Sequence, residues 1–382
     1  MMDSFRIQNI DHLGKNGFFE KSFTLKLHPS CSDCMIITAL SRYEGIEAPQ
    51  IEFSLISNLL PERSVYRSHL YRVGRIGEWT RQQWRVPPAF HPSIHAEITV
   101  TIPEGTRLEL ADFHSSYSFG AKPWPESGPR HNAHLGFLGI APSNSRRALE
   151  LAAQCGFSSC IVNIKETLDG HVVCFHDSTI NKLATDKDGN RIKDNPEIPP
   201  LSISKMTLKE LQEWDLGSHR HPLFSDYRIL TMEEAFRIMA KTGIHPMFST
   251  HPAPSESAWA KVKDMLLRYG LTKKFHVKSF KLPILEHAYS IFGDTIDGYT
   301  WDNGNVEDFK KSKLYGANCR LGIELVKKDM TRELAREIID AGFFAAVFGL
   351  KERVHYEEIE ELMEWGVTEF TEDHHCSMGL NW

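Results

Sequence analysis

After about residue 130 the chain alternates short apolar runs with amphipathic helical patterns, and this alternation restricts the possible folds more than any other feature. One helical segment, TMEEAFRIMAKTG, begins at Thr231 with Glu234 three residues on and closes on Gly243. Repeated β–α units over about 250 residues are typical of a parallel (β/α)8 barrel of the TIM type. Nine runs indicate strands where eight are needed: 131–137, 159–165, 171–176, 245–250, 275–280, 295–301, 319–326, 343–350 and 367–372. The run 319–326 fits a barrel strand least well.

The first 120 residues carry a different pattern, in which β-rich runs alternate with turn residues. This pattern predicts an all-β sandwich of the jelly-roll kind. Two runs of alternating polarity flank Pro103-Glu104-Gly105, which we interpret as a hairpin turn. A segment rich in Gly and Pro, 121–130, predicts a linker, so the expected domains are 1–120 and 131–382. Three aromatic residues of the first domain are candidate platforms for a carbohydrate partner, with plain packing as the alternative: Tyr71, Trp79 and Trp84.

Composition excludes several classes of protein. Of the 382 residues, 41% are hydrophobic and 25% charged, and no apolar run approaches the roughly 20 residues of a membrane helix. The net charge of −6 is spread along the chain, so we expect no nucleic-acid partner and no membrane insertion. The first residues show no signal-peptide pattern, and the seven cysteines, an odd number, suit a reducing compartment. These features predict a cytoplasmic protein.

In such barrels the chemistry lies at the carboxyl ends of the strands, and several polar residues follow the predicted strand ends. His134 and His176 end two neighbouring strand candidates, and a histidine pair can act as general base and general acid. The alternative is two hydrogen-bonded histidines in a chain that has 19 of them. Asp177 either faces away from His176 or caps a loop, and Trp301 either lines the cavity or fills the top of the barrel. His374 and His375, after the last strand, either contact a ligand or belong to a solvated loop.

Several motifs in the second domain occur in a recognisable order. They are AHLG (133–136), PSNS (142–145), DGHVVCFHDSTINKLAT (169–185), RILTMEEAF (228–236) and GVTEFTED (366–373). In order and spacing they resemble the glycerophosphodiester phosphodiesterase family over residues 130–375. The resemblance implies a TIM-type barrel that cleaves glycerophosphodiesters to an alcohol and glycerol 3-phosphate. It also implies two catalytic histidines and a divalent cation, Mg²⁺ or Ca²⁺, held by carboxylates.

Carried over residue by residue, the resemblance places His134 and His176 on the two catalytic histidines and Asp177 on the aspartate beside the second. Asn144, in PSNS (142–145), matches an asparagine of the corresponding family motif. Leu135 replaces an arginine that contacts the phosphate. The family's three metal-binding carboxylates align with Ile161, Asn163 and Phe248, none of which is an acid. The sequence therefore predicts no cation at the family positions.

Three hypotheses follow for the function. The chain is a divergent phosphoric diester hydrolase whose metal ligands have moved, with His251 and Asp302 as candidate new ligands. Alternatively, it is a non-catalytic barrel that binds a phosphorylated or glycan ligand. In the third, metal-free chemistry persists, and Asn132, Asn163 and Lys165 rebuild a phosphate site, since Lys165 shares a strand face with Asn163.

Overall fold

The structure is a computed structural model that describes residues 6–7, 10–13, 18–25, 34–69, 71–86, 91–118, 129–350 and 356–373. These residues divide into two compact units. The first comprises residues 6–118 with 356–361, and the second comprises residues 129–350 with 362–373. Most of the predicted linker lies outside the described residues, as do His374 and His375.

The first unit consists of antiparallel sheets. Its described strands are β1 (Arg6–Ile7), β2 (Ile10–Leu13), β3 (Phe18–Leu25), β4 (Cys34–Glu44), β5 (Gln50–Ser57), β6 (Ser64–His69), β7 (Tyr71–Ile76), β8 (Trp79–Val86), β9 (Ile94–Pro103) and β10 (Arg107–Ser118). One sheet has the order β1-β10-β4-β8-β7, with β2 also paired to β10, and the other has the order β3-β9-β5-β6. Two antiparallel sheets confirm the expected sandwich-like domain.

The hairpin expected at Pro103 is wrong. The turn itself is present, because the Thr106 amide donates to the Pro103 carbonyl at 3.1 Å. However, β9 pairs with β3 and β5, whereas β10 pairs with β1, β2 and β4. The turn therefore carries the chain from one sheet to the other. The local pattern of two amphipathic strands around a turn is the same in both arrangements, and distant strands decide between them.

The second unit contains a closed parallel barrel. Its strands and the short strands beside it are β11 (Arg130–Ala133), β12 (Ser159–Glu166), β13 (Val172–Cys174), β14 (Leu230–Thr231), β15 (His245–Ser249), β16 (His276–Ser279), β17 (Gly298–Asp302), β18 (Arg320–Val326), β19 (Phe344–Leu350) and β20 (Val367–Glu372). Eight of them pair in parallel in the order β11-β12-β15-β16-β17-β18-β19-β20, and β20 returns to β11. This confirms the TIM-type barrel.

One of the nine predicted strands is not a barrel member. The run 171–176 contributes β13, which pairs antiparallel with β12 and β14 at the edge of the barrel. The run 319–326 forms β18 and pairs in parallel on both sides. A three-residue buried strand has the same apolar pattern as a barrel strand, so the sequence alone does not separate the two.

Helices connect the barrel strands. They are α1 (Arg146–Gln154), α2 (Leu208–Gln212), α3 (Met232–Thr242), α4 (Glu256–Arg268), α5 (Leu282–Phe292), α6 (Val306–Lys310), α7 (Arg332–Asp340) and α8 (Tyr356–Glu364). The predicted capping box of α3 is present, since Thr231 and Glu234 bond reciprocally, and Gly243 ends the helix at a φ of 78°. Within the described ranges no helix is long and apolar enough to cross a membrane.

The segment between β13 and β14, residues 175–229, is called the insertion below. It has its own apolar cluster, built on Phe175, Ile180, Leu211 and other buried residues, which also includes Val173 of β13. Arg220 of the insertion donates from Nε to the carbonyl of Ile140 at 2.9 Å, and from its other end to the carbonyl of Gly139. The insertion is thereby fastened to the loop that follows β11.

Candidate active site

Two histidines at the carboxyl end of the barrel each pair with an aspartate. His134 follows β11, and its Nδ1 lies 2.6 Å from Oδ1 of Asp373, the residue after β20. His176 opens the insertion, and its Nδ1 lies 2.7 Å from Oδ1 of Asp177. The two histidine side chains are 40% and 56% exposed. With Nδ1 held by a carboxylate, Nε2 is the nitrogen that can exchange a proton with a ligand.

Asp177 was expected either to face away from His176 or to cap a loop. The alternation of side chains applies inside a regular strand, and β13 ends at Cys174. Beyond that point the chain turns, so the Asp177 carboxylate reaches back to the neighbouring imidazole. Each histidine thus has an aspartate partner, but His134 pairs with a residue that is distant in the chain and His176 with its neighbour.

Asn144 and Asn163, both predicted as binding residues, bond to each other in the interior. Asn144 Nδ2 donates to Asn163 Oδ1 at 3.2 Å, and the backbone N–H of Asn163 donates to Asn144 Oδ1 at 3.4 Å. The Nδ2 of Asn163 also donates to the carbonyl of Ser249 at 3.3 Å. Both side chains are therefore engaged in holding the loop before α1 against β12 and β15.

Lys165 lies near the carboxyl end of β12. Its Nζ is buried, and no described residue offers it a hydrogen bond. Burial lowers the pKa of Lys165 to about 8, and the carboxylate of Asp177 opposes part of that effect. At neutral pH the group is still mainly a cation, and it is a buried one close to the His176–Asp177 pair.

A buried ion cluster missed by the sequence analysis crosses the barrel interior. Lys278 on β16 contacts Glu324 on β18 and lies 3.4 Å from Oδ1 of Asp302 on β17. Thr371 Oγ1 on β20 donates to Glu324 Oε1 at 2.6 Å. Because β18 and β20 are not neighbours, this bond spans the interior. The signal was available, since Lys278 and Glu324 are charged residues inside two of the predicted strands, 275–280 and 319–326.

Burial and charge pairing shift the two carboxyl groups of the cluster in opposite directions. Burial opposes ionisation of Glu324, but Lys278 and Thr371 outweigh it, so the pKa of Glu324 is lowered. Burial raises the pKa of Asp302 well above its usual range, with Lys278 opposing. The Asp302 side chain is almost fully buried. An enclosed carboxyl group whose pKa is raised by burial is a poor metal ligand.

Two other predicted residues lie away from this cluster. Trp301 was expected either to line the cavity or to fill the top of the barrel. Its ring packs on Phe309 of α6 with centroids 5.8 Å apart, and its Nε1 donates to the Phe280 carbonyl at 3.4 Å. It lies on the outer face of β17, opposite to Asp302. His251 is exposed, with its ring 6.4 Å from that of Phe280. The part of the chain that the structure describes contains no group of three or more His, Cys, Asp or Glu residues able to hold a metal ion.

One cavity among the described residues lies away from the His–Asp pairs. A cavity of about 890 Å³ lies at the opposite end, where β18, β19 and β20 begin, and it is lined by Cys319, Arg320, Phe344 and Gly366 among others. Arg320 is already engaged there, at 2.8 Å from Glu369. The His–Asp pairs, rather than this cavity, mark the candidate active site.

A comparison with protein families identifies the region that carries these pairs. The model of the glycerophosphoryl diester phosphodiesterase family matches residues 134–286, which include His134, Lys165, His176 and Asp177. Over these residues the barrel is similar to the glycerophosphodiester phosphodiesterase family.

Individual phosphodiesterases of the family are distant relatives. A glycerophosphodiester phosphodiesterase of Caldanaerobacter subterraneus is 27% identical over 107 residues, which are 28% of this chain and 39% of that protein. This chain thus spans about two fifths of the length of the curated relative. An Oleispira antarctica phosphodiesterase, solved in complex with the product sn-glycerol-3-phosphate, shares the fold with a TM-score of 0.54 and 20% identity, over 66% of this chain and 95% of that one. For a glycerophosphodiester phosphodiesterase from Agrobacterium tumefaciens, the TM-score is 0.52 and the identity 17%, over 66% of this chain and 98% of that one.

An apolar cluster lies where the phosphodiesterase family is expected to hold its cation. Leu135, Ile161 and Met247 form one buried cluster, and Leu138 packs against it. Leu135 and Ile161 stand at positions that the resemblance assigns to an arginine and a glutamate. These side chains offer no oxygen ligand, and the side-chain oxygen of Asn163 already accepts a hydrogen bond from Asn144.

Phe248, expected to align with a metal-binding glutamate of the phosphodiesterases, faces away from this apolar cluster. The Phe248 ring packs against Phe236 of α3 and against Phe275, with centroids 5.9 and 5.8 Å apart, so it faces the helices. The next residue back, Met247, is the one that meets Ile161, because neighbouring strand residues point to opposite faces. With Ile161, Asn163 and Met247 as the donor set, the site does not fit Mg²⁺ or Ca²⁺, which require several oxygen ligands.

Proposed function

We propose that the barrel cleaves a small phosphodiester of the glycerophosphodiester class by acid–base catalysis between His134 and His176, without a divalent cation at the family position. The observation that carries this proposal is the pairing of each Nδ1 with an aspartate, which leaves both Nε2 atoms for proton transfer. The product held by the Oleispira antarctica phosphodiesterase supports this class of ligand.

The proposed reaction needs only proton transfers at these two rings. One imidazole takes the proton of a hydroxyl next to the phosphate, and that oxygen attacks phosphorus. The other imidazole donates its proton to the departing alkoxide, which leaves as an alcohol. The resulting cyclic phosphate is opened by water with the roles reversed. Asp373 and Asp177 stabilise the imidazolium that forms in each half of the cycle.

Acid–base catalysis alone contributes about 10²–10⁴-fold, so the proposed activity is slow compared with that of a cation-assisted enzyme. The apolar cluster of Leu135, Ile161 and Met247 supports this expectation, since it leaves no ligand set for the metal. The same cluster is the reason to keep the non-catalytic, ligand-binding barrel as the competing outcome.

The test is hydrolysis of sn-glycero-3-phosphocholine by the full chain, followed through released glycerol 3-phosphate. We expect turnover in EDTA that added Mg²⁺, Ca²⁺, Mn²⁺ or Zn²⁺ does not increase. His134→Ala and His176→Ala should each lower the rate by about 100-fold or more. The exposed His287, on α5, provides the control variant His287→Ala, which should keep the wild-type rate.

Two results would contradict the proposal. Turnover that requires a cation would mean that a metal is bound by other residues, and an active His176→Ala protein would remove the acid–base pair. Absence of turnover under every condition, together with retained binding of glycerol 3-phosphate, would favour the ligand-binding barrel.

The expectations for the first domain and for the cell compartment stay predictions. Arg42 lies over the ring of Trp79 at 4.8 Å from its centroid, so one face of that candidate carbohydrate platform is engaged. The side chains of Tyr71 and Trp84 lie outside the described residues. The domain limits, the absence of a nucleic-acid partner and the cytoplasmic location await direct experiments.

A further inference from the structure

Lys165 is a buried cation without a visible anion. Burying an ammonium group without a partner is costly in free energy, so folded proteins rarely contain one. The contrast with Lys278 is direct, because that ammonium contacts Glu324 and lies 3.4 Å from Asp302. Among the described residues none donates to or accepts from Lys165 Nζ.

The acidic groups near Lys165 already have partners. Glu166, its neighbour in the chain, lies 2.7 Å from Nζ of Lys261 and also accepts from Ser255. Asp177, whose charge acts on Lys165, is held by His176 at 2.7 Å. Within the described ranges, the cation is therefore not one half of a salt bridge.

The position of Lys165 connects it to the His–Asp pairs. Lys165 lies opposite Val173 in the β12–β13 pairing, and β13 leads within three residues to His176. Paired residues of an antiparallel ladder project to the same side, and Val173 belongs to the apolar cluster of the insertion. Lys165 thus lies on the side of β12 that the insertion covers, next to the start of the proposed acid–base site.

We propose that Lys165 is an anion-binding residue of this site, and that its ammonium group binds a phosphoryl oxygen of the ligand. The inference rests on the proposed function, since it concerns the same ligand. It also goes beyond the acid–base pair, because it identifies the positive charge that acts on the phosphate. The apolar cluster leaves no place for a cation in that role. The chemical class recognised is a phosphate monoester or diester, with inorganic phosphate as the minimal member. The binding step moves no proton and breaks no bond.

The experiment is isothermal titration of the full chain with inorganic phosphate in EDTA at pH 7. Lys165→Met, which keeps the length of the side chain and removes the charge, should weaken phosphate binding tenfold or more. Lys165→Arg should retain most of the affinity. Lys187→Met, at an exposed loop lysine, is the matched control and should bind as the wild type does.

A second variant covers the case in which Lys165→Met does not fold. Lys165→Gln removes the charge but keeps a polar end to the side chain, and it should also weaken phosphate binding tenfold or more. Wild-type phosphate affinity in a folded Lys165→Met or Lys165→Gln protein would overturn the inference.

The two proposals fail separately. If Lys165→Met loses phosphate binding while His134→Ala and His176→Ala keep full turnover, the anion site stands and the acid–base pair is wrong. If the histidine variants are inactive while Lys165→Met binds phosphate normally, the acid–base pair stands and the anion site is wrong.

Discussion

Asp373 reaches His134 from the end of the last barrel strand, whereas Asp177 reaches His176 from the next position in the chain. The first pair forms only when β20 closes the barrel against β11, and the His134 amide also donates to the Glu372 carbonyl at 2.9 Å. The orientation of His134 is therefore a product of barrel closure. That of His176 is a local property of one turn.

Replacing Asp373 should separate positioning from folding. In Asp373→Asn we expect kcat to fall by about 10–100-fold with little change in KM, because the imidazole loses the carboxylate that fixes its tautomer. Nitrogen NMR of His134 should show the proton leaving Nδ1. Asp264→Asn, at an exposed position of α4, serves as the control. An unchanged kcat in Asp373→Asn would assign that carboxylate a purely structural role.

The sequence predicted that His134, His176 and Asp177 follow strands, and the structure places them there. Their catalytic role stays a prediction. Lys278 and Glu324 were missed because their partners come from strands that are distant in the chain. Phe248 was predicted to lie at a metal-ligand position. Only its contacts with Phe236 and Phe275 show that its ring faces the helices.

At the scale of elements, β12 determines what the site can bind. One face of this strand carries every second residue, namely Ile161, Asn163 and Lys165. The strand therefore presents an apolar side chain, a hydrogen-bonded amide and an ammonium group to the same side. Its neighbour β15 adds Met247 to the apolar part. The strand pattern predicted β12 correctly, but its face towards the site became clear only from these contacts.

Restoring carboxylates to this face should restore a response to cations. We expect the melting temperature of the wild type to be unchanged by millimolar Ca²⁺ or Mg²⁺. In the triple variant Ile161→Glu/Asn163→Asp/Met247→Glu it should fall without metal, because buried carboxylates lack a partner, and rise when Ca²⁺ is added. Differential scanning calorimetry measures both effects. A metal-induced rise in the wild type would show that a cation site exists elsewhere.

The other error at this scale concerned connections. The turn at Pro103 joins two sheets rather than two paired strands, and residues 171–176 start an insertion rather than a barrel strand. In both cases the local pattern predicted a strand correctly. Its partners include a strand more than 50 residues away, which is β14 for β13 and β3 for β9.

At the scale of the whole barrel, an ion cluster at the amino ends of the strands holds the closed ring together. Arg130 on β11 lies 2.6 Å from Asp297, and Arg320 on β18 lies 2.8 Å from Glu369 on β20. Burial opposes ionisation of Asp297, but His276 and Arg130 outweigh it, so its pKa lies well below the usual range. Strands from opposite sides of the ring thus meet in one charged cluster.

This cluster should make the barrel sensitive to acid. A carboxyl group whose pKa is lowered by folding adds stability above its unfolded pKa of about 3.9, and that stability is lost as the pH falls below it. We expect the free energy of unfolding to fall between about pH 4 and pH 2, and to fall less steeply in Asp297→Asn. At pH 7 the variant should be less stable by about 2 kcal/mol, the usual value for a hydrogen bond to a charged group. Urea unfolding followed at each pH measures both, and parallel pH curves would contradict the assignment.

The apolar cluster of Leu135, Ile161 and Met247 also bears on which mutational routes are open to this chain. Rebuilding the three-carboxylate ligand set would require several substitutions in and beside this cluster. Each intermediate with one or two of the acids carries a buried charge with no cation to balance it, and is therefore less stable than either end point. Stepwise selection towards the three-carboxylate site therefore passes through less stable variants. Changes around Lys165 and the two histidines do not require a buried, unpaired carboxylate. We therefore expect directed evolution for activity to improve the proposed metal-free site before it rebuilds a metal site.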